Sequence, residues 1–221
     1  MITFIIPTIG RASLLRTLES LYAQTDGRWR AIIVFDGVPS STVFSGDLLD
    51  SLDYRVQVLE IEKSGVHINS AGLVRNAGIR GCLTEWVGFV DDDDTVSSRY
   101  VETFYSEVES YPEVDVLLFR MYVEKPSYLY PDSFILPELN TADFYWQKTG
   151  ISFALRTSIF LDRGLWFEPS EEEDYLFLDG LRRRGISMMI SPYIRYFVRV
   201  TDDGILDDFD GDLIVGNRVV I

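Results

Sequence analysis

Over its first 95 residues the chain alternates short apolar runs with segments whose apolar positions recur at helical spacing. Thr3 to Pro7 reads as a strand. After Ser13, a favoured N-cap residue, Leu14, Leu15, Leu18, Leu21 and Tyr22 fall at i, i+1, i+4, i+7 and i+8, one face of an amphipathic helix. Ala31 to Phe35 is a second strand, closed by Asp36-Gly37, and Val56 to Ile61 a third; the polar stretch 39–53 between them offers a short helical tail at most. Ile68 to Cys82 reads as a helix leading into a fully apolar fourth strand at Trp86. Strands that alternate with helices predict βαβ units around a parallel sheet.

The second half is less regular. Residues 98–110 read as a helix, 114–119 as a strand and 151–155 as a shorter one, while 124–148 are rich in proline and aromatics, as in a loop-rich substrate region. Glu172 to Arg184 is a helix stopped by Gly185, and two late strands are expected at Met188–Ile190 and Arg195–Val200. The acidic stretch from Thr201 to Asp212 is expected to be exposed. No internal repeat or low-complexity linker divides the chain, so one domain over 1–221 is expected.

The most unusual chemistry lies behind the fourth strand. Trp86-Val87-Gly88-Phe89-Val90 runs directly into Asp91-Asp92-Asp93-Asp94. At ~5 Å and an effective dielectric of ~20, each like-charge pair costs on the order of 3 kcal/mol, so the cluster demands a cation. Acidic side chains at the mouth of a parallel strand are oxygen ligands for a hard divalent ion, which can in turn hold a phosphate group. A solvated acidic turn is the plainer alternative.

Composition narrows the partners. The chain has 221 residues, and 47% apolar with 25% charged is ordinary for a globular protein. A net charge of −15, with only Lys63, Lys125 and Lys148 as lysines, opposes non-specific binding to nucleic acid or to anionic membrane. A polyanionic ligand must therefore be neutralised locally, by arginines or a metal. No apolar run reaches 18 residues, so no membrane insertion is expected, and Met1 to Pro7 reads as a strand rather than a signal peptide. Cys82 alone excludes a disulfide framework or a cysteine-rich zinc site and fits a soluble protein of a reducing, cytoplasmic compartment.

Three pieces in order carry a resemblance. Ile5-Ile6-Pro7-Thr8-Ile9-Gly10-Arg11 precedes the Leu-rich helix, the Gln24 turn and Asp36-Gly37. Gly72-Leu73-Val74-Arg75-Asn76-Ala77-Gly78 precedes Phe89-Val90 and the aspartates. Gly164-Leu165-Trp166-Phe167 precedes Glu172-Glu173-Asp174-Tyr175 and the helix ending at Arg184-Gly185. Spread over residues 5 to 185, this order resembles the inverting, nucleotide-sugar-dependent glycosyltransferases of the family-2 type, which have the GT-A fold, a Rossmann-like α/β architecture with a mainly parallel central sheet flanked by helices. The resemblance implies a nucleotide-sugar-binding half over about 1–95 and an acceptor-binding half over about 96–221. In its compact length the chain also resembles small stand-alone glycosyltransferase domains, virus-encoded ones among them, for which the compartment would be the host cytoplasm.

The resemblance also implies roles. The family's Asp-X-Asp motif, which binds a divalent metal together with the donor ribose and diphosphate, falls on Asp91, Asp92 and Asp93; Asp93 is the favoured ligand for Mn²⁺ or Mg²⁺ and Asp91 the ribose or ligand-orienting partner. Asp36 resembles the aspartate that accepts a hydrogen bond from the nucleobase; Thr8 and Arg11 lie in the loop expected to contact the nucleotide, and Pro7, at the strand end before it, is counted with them. Arg75 and Asn76 resemble a pair near the base and diphosphate, with small neighbours at Ala71 and Gly78 on the helix face. Asp174 matches the catalytic base, with Glu173 or Glu172 as fallback; acidic residues here would equally complement the helix dipole. The donor implied is a nucleotide diphosphate sugar, with UDP favoured over GDP or dTDP, and the acceptor a hydroxyl of a glycan or another molecule. Tyr145, Trp146, Phe153 and Trp166 are candidates for stacking on sugars or for the core, 150–152 for the acceptor side, and His67 for the phosphates or for no special role.

Two other classes compete. Asp91 to Val96 fits D-x-D-x-T-V of a haloacid-dehalogenase-like phosphatase, with Asp91 as nucleophile and Asp93 as acid/base. Against it, Asp94 stands where glycine is expected and the motif begins about 90 residues into the chain. A non-catalytic carbohydrate- or calcium-binding module is the other; 207–212 invite the calcium reading, but an EF-hand register would put Leu206 where an aspartate is needed. P-loop and G-x-S-x-G motifs are absent.

Overall fold

The structure, a computed structural model, describes residues 1–65, 71–123, 134–139, 149–199 and 217–221. His67, Tyr145, Trp146 and the acidic stretch 201–212 lie outside the described residues. The first half follows the periodicity closely. Strand β1 (Ile2–Thr8), helix α1 (Leu14–Tyr22), β2 (Trp29–Asp36), a short α2 (Gly46–Asp50), β3 (Val56–Ile61), α3 (Ala71–Arg80) and β4 (Trp86–Phe89) succeed one another as βαβ units. β3, β2, β1 and β4 pair in parallel in that order, with Ile5 opposite both Ile32 and Phe89. Ser13 starts α1 through its carbonyl, which accepts from Arg16 N and Thr17 N, rather than through a side-chain cap.

Beyond β4 the pairing becomes mixed. The second half contributes β5 (Thr95–Val96), α4 (Tyr100–Ser110), β6 (Val116–Val123), β7 (Phe134–Leu136), β8 (Phe153–Arg156), α5 (Ser158–Leu161), α6 (Glu173–Arg183), β9 (Met188–Val198) and β10 (Val219–Val220). β8 inserts antiparallel between β4 and β6, β6 runs parallel to β9, and β10 and β5 pair antiparallel with opposite ends of β9. The two late strands expected from the sequence are one. Ser191, Pro192 and Tyr193 lie where the β6–β9 register shifts, between Leu118↔Ile190 and Arg120↔Ile194, and a bulge is where a strand tolerates proline.

Apolar side chains from both halves form one large core, beside which Ile194 and Phe197 make a small separate cluster. At its centre Phe89 of β4 meets Phe153 of β8 and Phe167, their ring centroids 5.3 Å away in each case, and Phe167 stacks on Phe177 of α6 at 4.2 Å. This aromatic cluster fixes α6 relative to the end of β4, the relation on which the site depends. Phe153 and Trp166 are accounted for by packing: Phe153 is fully buried, and Trp166 lies against Phe160 and under the Arg80 guanidinium. Ile151 and Ser152 are buried, Ser152 Oγ donating to Phe119 O at 2.7 Å, and the half-buried Gly150 leaves no room for a Cβ, which would fall 2.9 Å from Met121 Cε.

Candidate active site

The C-terminal ends of β1, β2 and β4 open into a cleft of about 480 Å³, closed on the far side by the start of α6 and the end of β9. Such a crevice beyond the carboxyl ends of parallel strands is where open α/β sheets bind ligands. Pro7 and Thr8 line it from the end of β1 and Arg11 from the loop that follows, Asp36 from β2, Arg75 from α3, Asp91, Asp92 and Asp93 from the acidic run, and Glu173 and Asp174 from α6. Of the residues singled out in the sequence, Asn76 is not among the lining. Its amide nitrogen donates to Phe167 O at 2.8 Å and its amide oxygen accepts from Phe167 N at 3.2 Å, so it fastens α3 to the strand of chain entering α6.

The four aspartates are separated into different jobs by different partners. The backbone of the run is held from α1, where Thr17 Oγ1 donates to Asp94 O at 2.8 Å. Asp92 is buried; Thr8 Oγ1 donates to it at 2.6 Å and Arg11 Nη1 at 2.9 Å. Burial pushes its carboxyl up, and these two contacts oppose that. Asp94 turns away from the cleft into the interior, accepting from the Tyr196 hydroxyl at 2.8 Å, and burial raises its pKa well above the usual range. Asp91 and Asp93 remain half-buried at the cleft. Asp91 Oδ1 accepts from Arg75 Nη2 at 2.6 Å; Asp93 Oδ2 lies 3.2 Å from Arg11 Nη1 and 3.0 Å from Arg199 Nε. The second oxygen of each makes no hydrogen bond among the described residues. Hard carboxylate oxygens of this kind suit Mg²⁺ or Mn²⁺. Among the described residues no three His, Cys, Asp or Glu side chains converge as a complete metal cage, so phosphate oxygens and water would have to complete the shell.

Arg75 joins the two ends of the site. It is only 2% exposed, and its guanidinium donates to Asp91, to Glu173 and, at 3.4 Å, to Asp174. Burial alone would lower its pKa; the three carboxylates outweigh that and hold it charged. Glu173 is buried with both oxygens in use, one on Arg75 and the other accepting from Gly72 N at 2.5 Å. Gly72 has to be glycine: a Cβ there would sit 2.6 Å from Glu173 Oε2 and 2.8 Å from Phe167 Cβ. Asp174 touches only Arg75 of these and keeps a face on the cleft. Burial pushes its pKa up to about 7, against the pull of Arg75 and with the help of the Asp91 and Glu173 charges.

At the other end Asp36 is buried, accepting from Ser64 N at 2.6 Å and paired with Lys63, whose side chain stays half exposed at the cleft. Gly37, at φ +74°, makes room, since a Cβ would lie 2.8 Å from Lys63 Cβ. Lys63 and Arg199 at the cleft, and Tyr196 buried behind the aspartates, are residues that the sequence pattern did not single out. Lys63 could have been noticed as a rare lysine just beyond β3, at the level of Asp36. Nothing local marks Arg199; only the β5–β9 pairing brings it to the aspartates.

Comparison with known proteins agrees with this architecture. The chain is 31% identical over 125 residues to the glycosyltransferase GlyA of Streptococcus pneumoniae, an alignment that covers 55% of this chain and 17% of that protein. Crystal structures of residues 1–349 of TarS from S. aureus superpose with TM-scores of 0.68 and, for the complex with UDP-GlcNAc, 0.67. These cover 89% and 91% of this chain and 60% and 59% of the other, at 19% and 17% identity, a likeness of fold. The α/β architecture is thus of the GT-A type, and the chain spans less than a fifth of the curated relative and about three fifths of the TarS fragment. The sequence model of glycosyl transferase family 2 matches residues 3–166, well over half the chain, and the chain belongs to that family.

Proposed function

We propose that the chain catalyses an inverting transfer of a sugar from a nucleotide diphosphate sugar, with UDP as the favoured carrier, to a hydroxyl of a glycan or another acceptor. The observation that carries this reading is the arrangement around Arg75. Asp91, on the acidic strand end, and Asp174, a carboxylate with a pKa near neutrality, face the same cleft on opposite sides of one buried guanidinium. A donor lying along the strand ends would present its anomeric carbon between them.

In this reading the base rests near Asp36 and Lys63, which offer an acceptor and a donor side by side. Arg11 and the Thr8 loop face the phosphates, and Asp91 and Asp93 would hold Mg²⁺ or Mn²⁺, which supplies charge neutralisation for the departing diphosphate. Asp174 takes the proton from the acceptor hydroxyl as that oxygen attacks in line, which inverts the anomeric centre. Glu173, with both oxygens engaged, orients Arg75 and the start of α6. Family membership leaves the phosphatase and binding-module readings without support. Among the described residues no helix is long and apolar enough to cross a membrane.

The test is a titration of UDP, GDP and dTDP with and without Mn²⁺ on the wild type and on Asp93→Ala. UDP should bind most tightly, with an affinity that Mn²⁺ improves in the wild type and no longer improves in the variant. Binding of none of the three, or metal-independent binding that the substitution leaves unchanged, would overturn the donor-site assignment.

A further inference from the structure

The fourth aspartate has no part in the chemistry just described, yet it is among the most enclosed charged groups of the site. Asp94 uses both oxygens: Oδ2 accepts from the Tyr196 hydroxyl at 2.8 Å, and Oδ1 accepts from the backbone N–H of Arg199 at 3.0 Å. The Tyr196 hydroxyl in turn accepts from Asp91 N at 3.1 Å. One tyrosine and one carboxyl, both buried, therefore tie the start of the acidic run to the residue just beyond β9.

That residue is held in an uncommon conformation. Arg199 has φ +52°, and among the described residues it is the non-glycine residue with positive φ. A side chain in the left-handed region stays there only where its surroundings over-determine it. Here the Asp94 contact to its N–H does so, and the turn it enforces lays the guanidinium over the cleft. Its Nε reaches Asp93 Oδ2 at 3.0 Å, the same oxygen that Arg11 Nη1 approaches at 3.2 Å. The Arg199 and Arg11 side chains are 65% and 47% exposed. Ion pairs this open contribute little to stability, so the Asp93 bridge does not by itself account for a buried carboxyl and a left-handed arginine. Two guanidiniums meeting on one oxygen, on exposed side chains that both line the cleft, do match a diphosphate, whose oxygens accept such forks in pairs.

We propose that Arg199 is a second diphosphate-gripping residue beside Arg11 and that the buried Asp94–Tyr196 pair is the positioning device that aims it. The inference rests on the donor-site reading above and adds to it a residue from the far end of the chain.

Calorimetric titration of UDP, uridine and inorganic pyrophosphate, in EDTA and in Mn²⁺, separates the two. In the wild type UDP should bind more tightly than uridine. Arg199→Ala should weaken UDP and pyrophosphate about tenfold, the loss of one charge-assisted contact, and leave uridine unchanged, with Arg199→Lys recovering part. Tyr196→Phe keeps the ring and removes the tether; it should weaken UDP several-fold without affecting uridine, and it should add nothing in the Arg199→Ala background. A purely structural role for Tyr196 would instead weaken uridine too, or add to the Arg199→Ala loss. Because Arg199 is exposed, its variants test the proposal even if Tyr196→Phe folds poorly. Unchanged UDP affinity in Arg199→Ala, with the wild type binding UDP, overturns this inference alone; a wild type that binds no nucleoside diphosphate overturns the donor reading and this inference with it.

Discussion

Asp174 and Glu173 are neighbours on one helical turn, and their surroundings give them opposite tasks. Glu173 spends its oxygens on Gly72 N and Arg75, so no acceptor proton can reach it. Asp174 shares only a long contact with Arg75, and burial raises it to about 7, where a carboxylate is a far stronger base than an ordinary aspartate and is still half ionised. The catalytic consequence is that kcat/KM should rise with pH through an apparent pKa near 7 and level off above it, read from nucleotide release between pH 5 and 9. A flat profile over that range would remove Asp174 from the role of base. The stability consequence has the opposite sign from that of a salt-bridged carboxylate. With a folded pKa above the unfolded one, the folded protein binds the extra proton between about pH 4 and 7, so ionising Asp174 costs stability above that window. Asp174→Asn should therefore abolish transfer yet stabilise the fold at pH 8, on the order of 2 kcal/mol with about a quarter of the side chain open to solvent, and change little at pH 4.

At the scale of elements, the site depends on how α3 and α6 are joined. Asn76 pairs with both backbone polar groups of Phe167, and Phe167 stacks on Phe177 of α6. Asn76→Ala strands a buried N–H and a buried C=O and should cost about 2–4 kcal/mol in urea denaturation. Because Asn76 does not line the cleft, UDP affinity should stay within a few-fold; a large loss of affinity at unchanged stability would return Asn76 to the nucleotide. The amino-acid pattern shows that Arg75 and Asn76 matter without showing which of them turns to a ligand, because adjacent helical positions differ only in direction and that direction is set by what packs opposite. The strands and helices of the first half are legible because each carries its own apolar period. β9 is not, since Pro192 interrupts the pattern and only the partner strand shows that a bulge absorbs it. Two-residue β5 and β10 are too short for any period, yet β5–β9 pairing is what delivers Arg199 to Asp93 across more than a hundred residues. The aspartates and Asp174 could be picked out beforehand because charged residues next to an apolar strand or at a helix start are locally conspicuous.

For the molecule as a whole, Arg75 is a buried point where the two halves of the chain meet electrostatically. Asp91 comes from the parallel half, Glu173 and Asp174 from the mixed half, and one nearly inaccessible cation serves all three. Replacing it with methionine keeps an unbranched apolar stem as far as about Nε and removes the charged guanidinium, whose carbon lies 5.8 Å from the Phe167 ring centroid. The three carboxylates would then face one another with no buried counter-charge, an arrangement that costs roughly 3–5 kcal/mol when ionised. Arg75 lowers the pKa of both Glu173 and Asp174 against the effect of burial, so without it both should titrate higher still. Protonation relieves the repulsion. The deficit of Arg75→Met relative to the wild type should accordingly be greatest near pH 8 and shrink towards pH 5, measured by urea denaturation at the two pH values. An equal deficit at both would mean that Arg75 joins the halves by packing on Phe167 rather than by its charge, and the base and the acidic strand end would then be coupled only through the aromatic core.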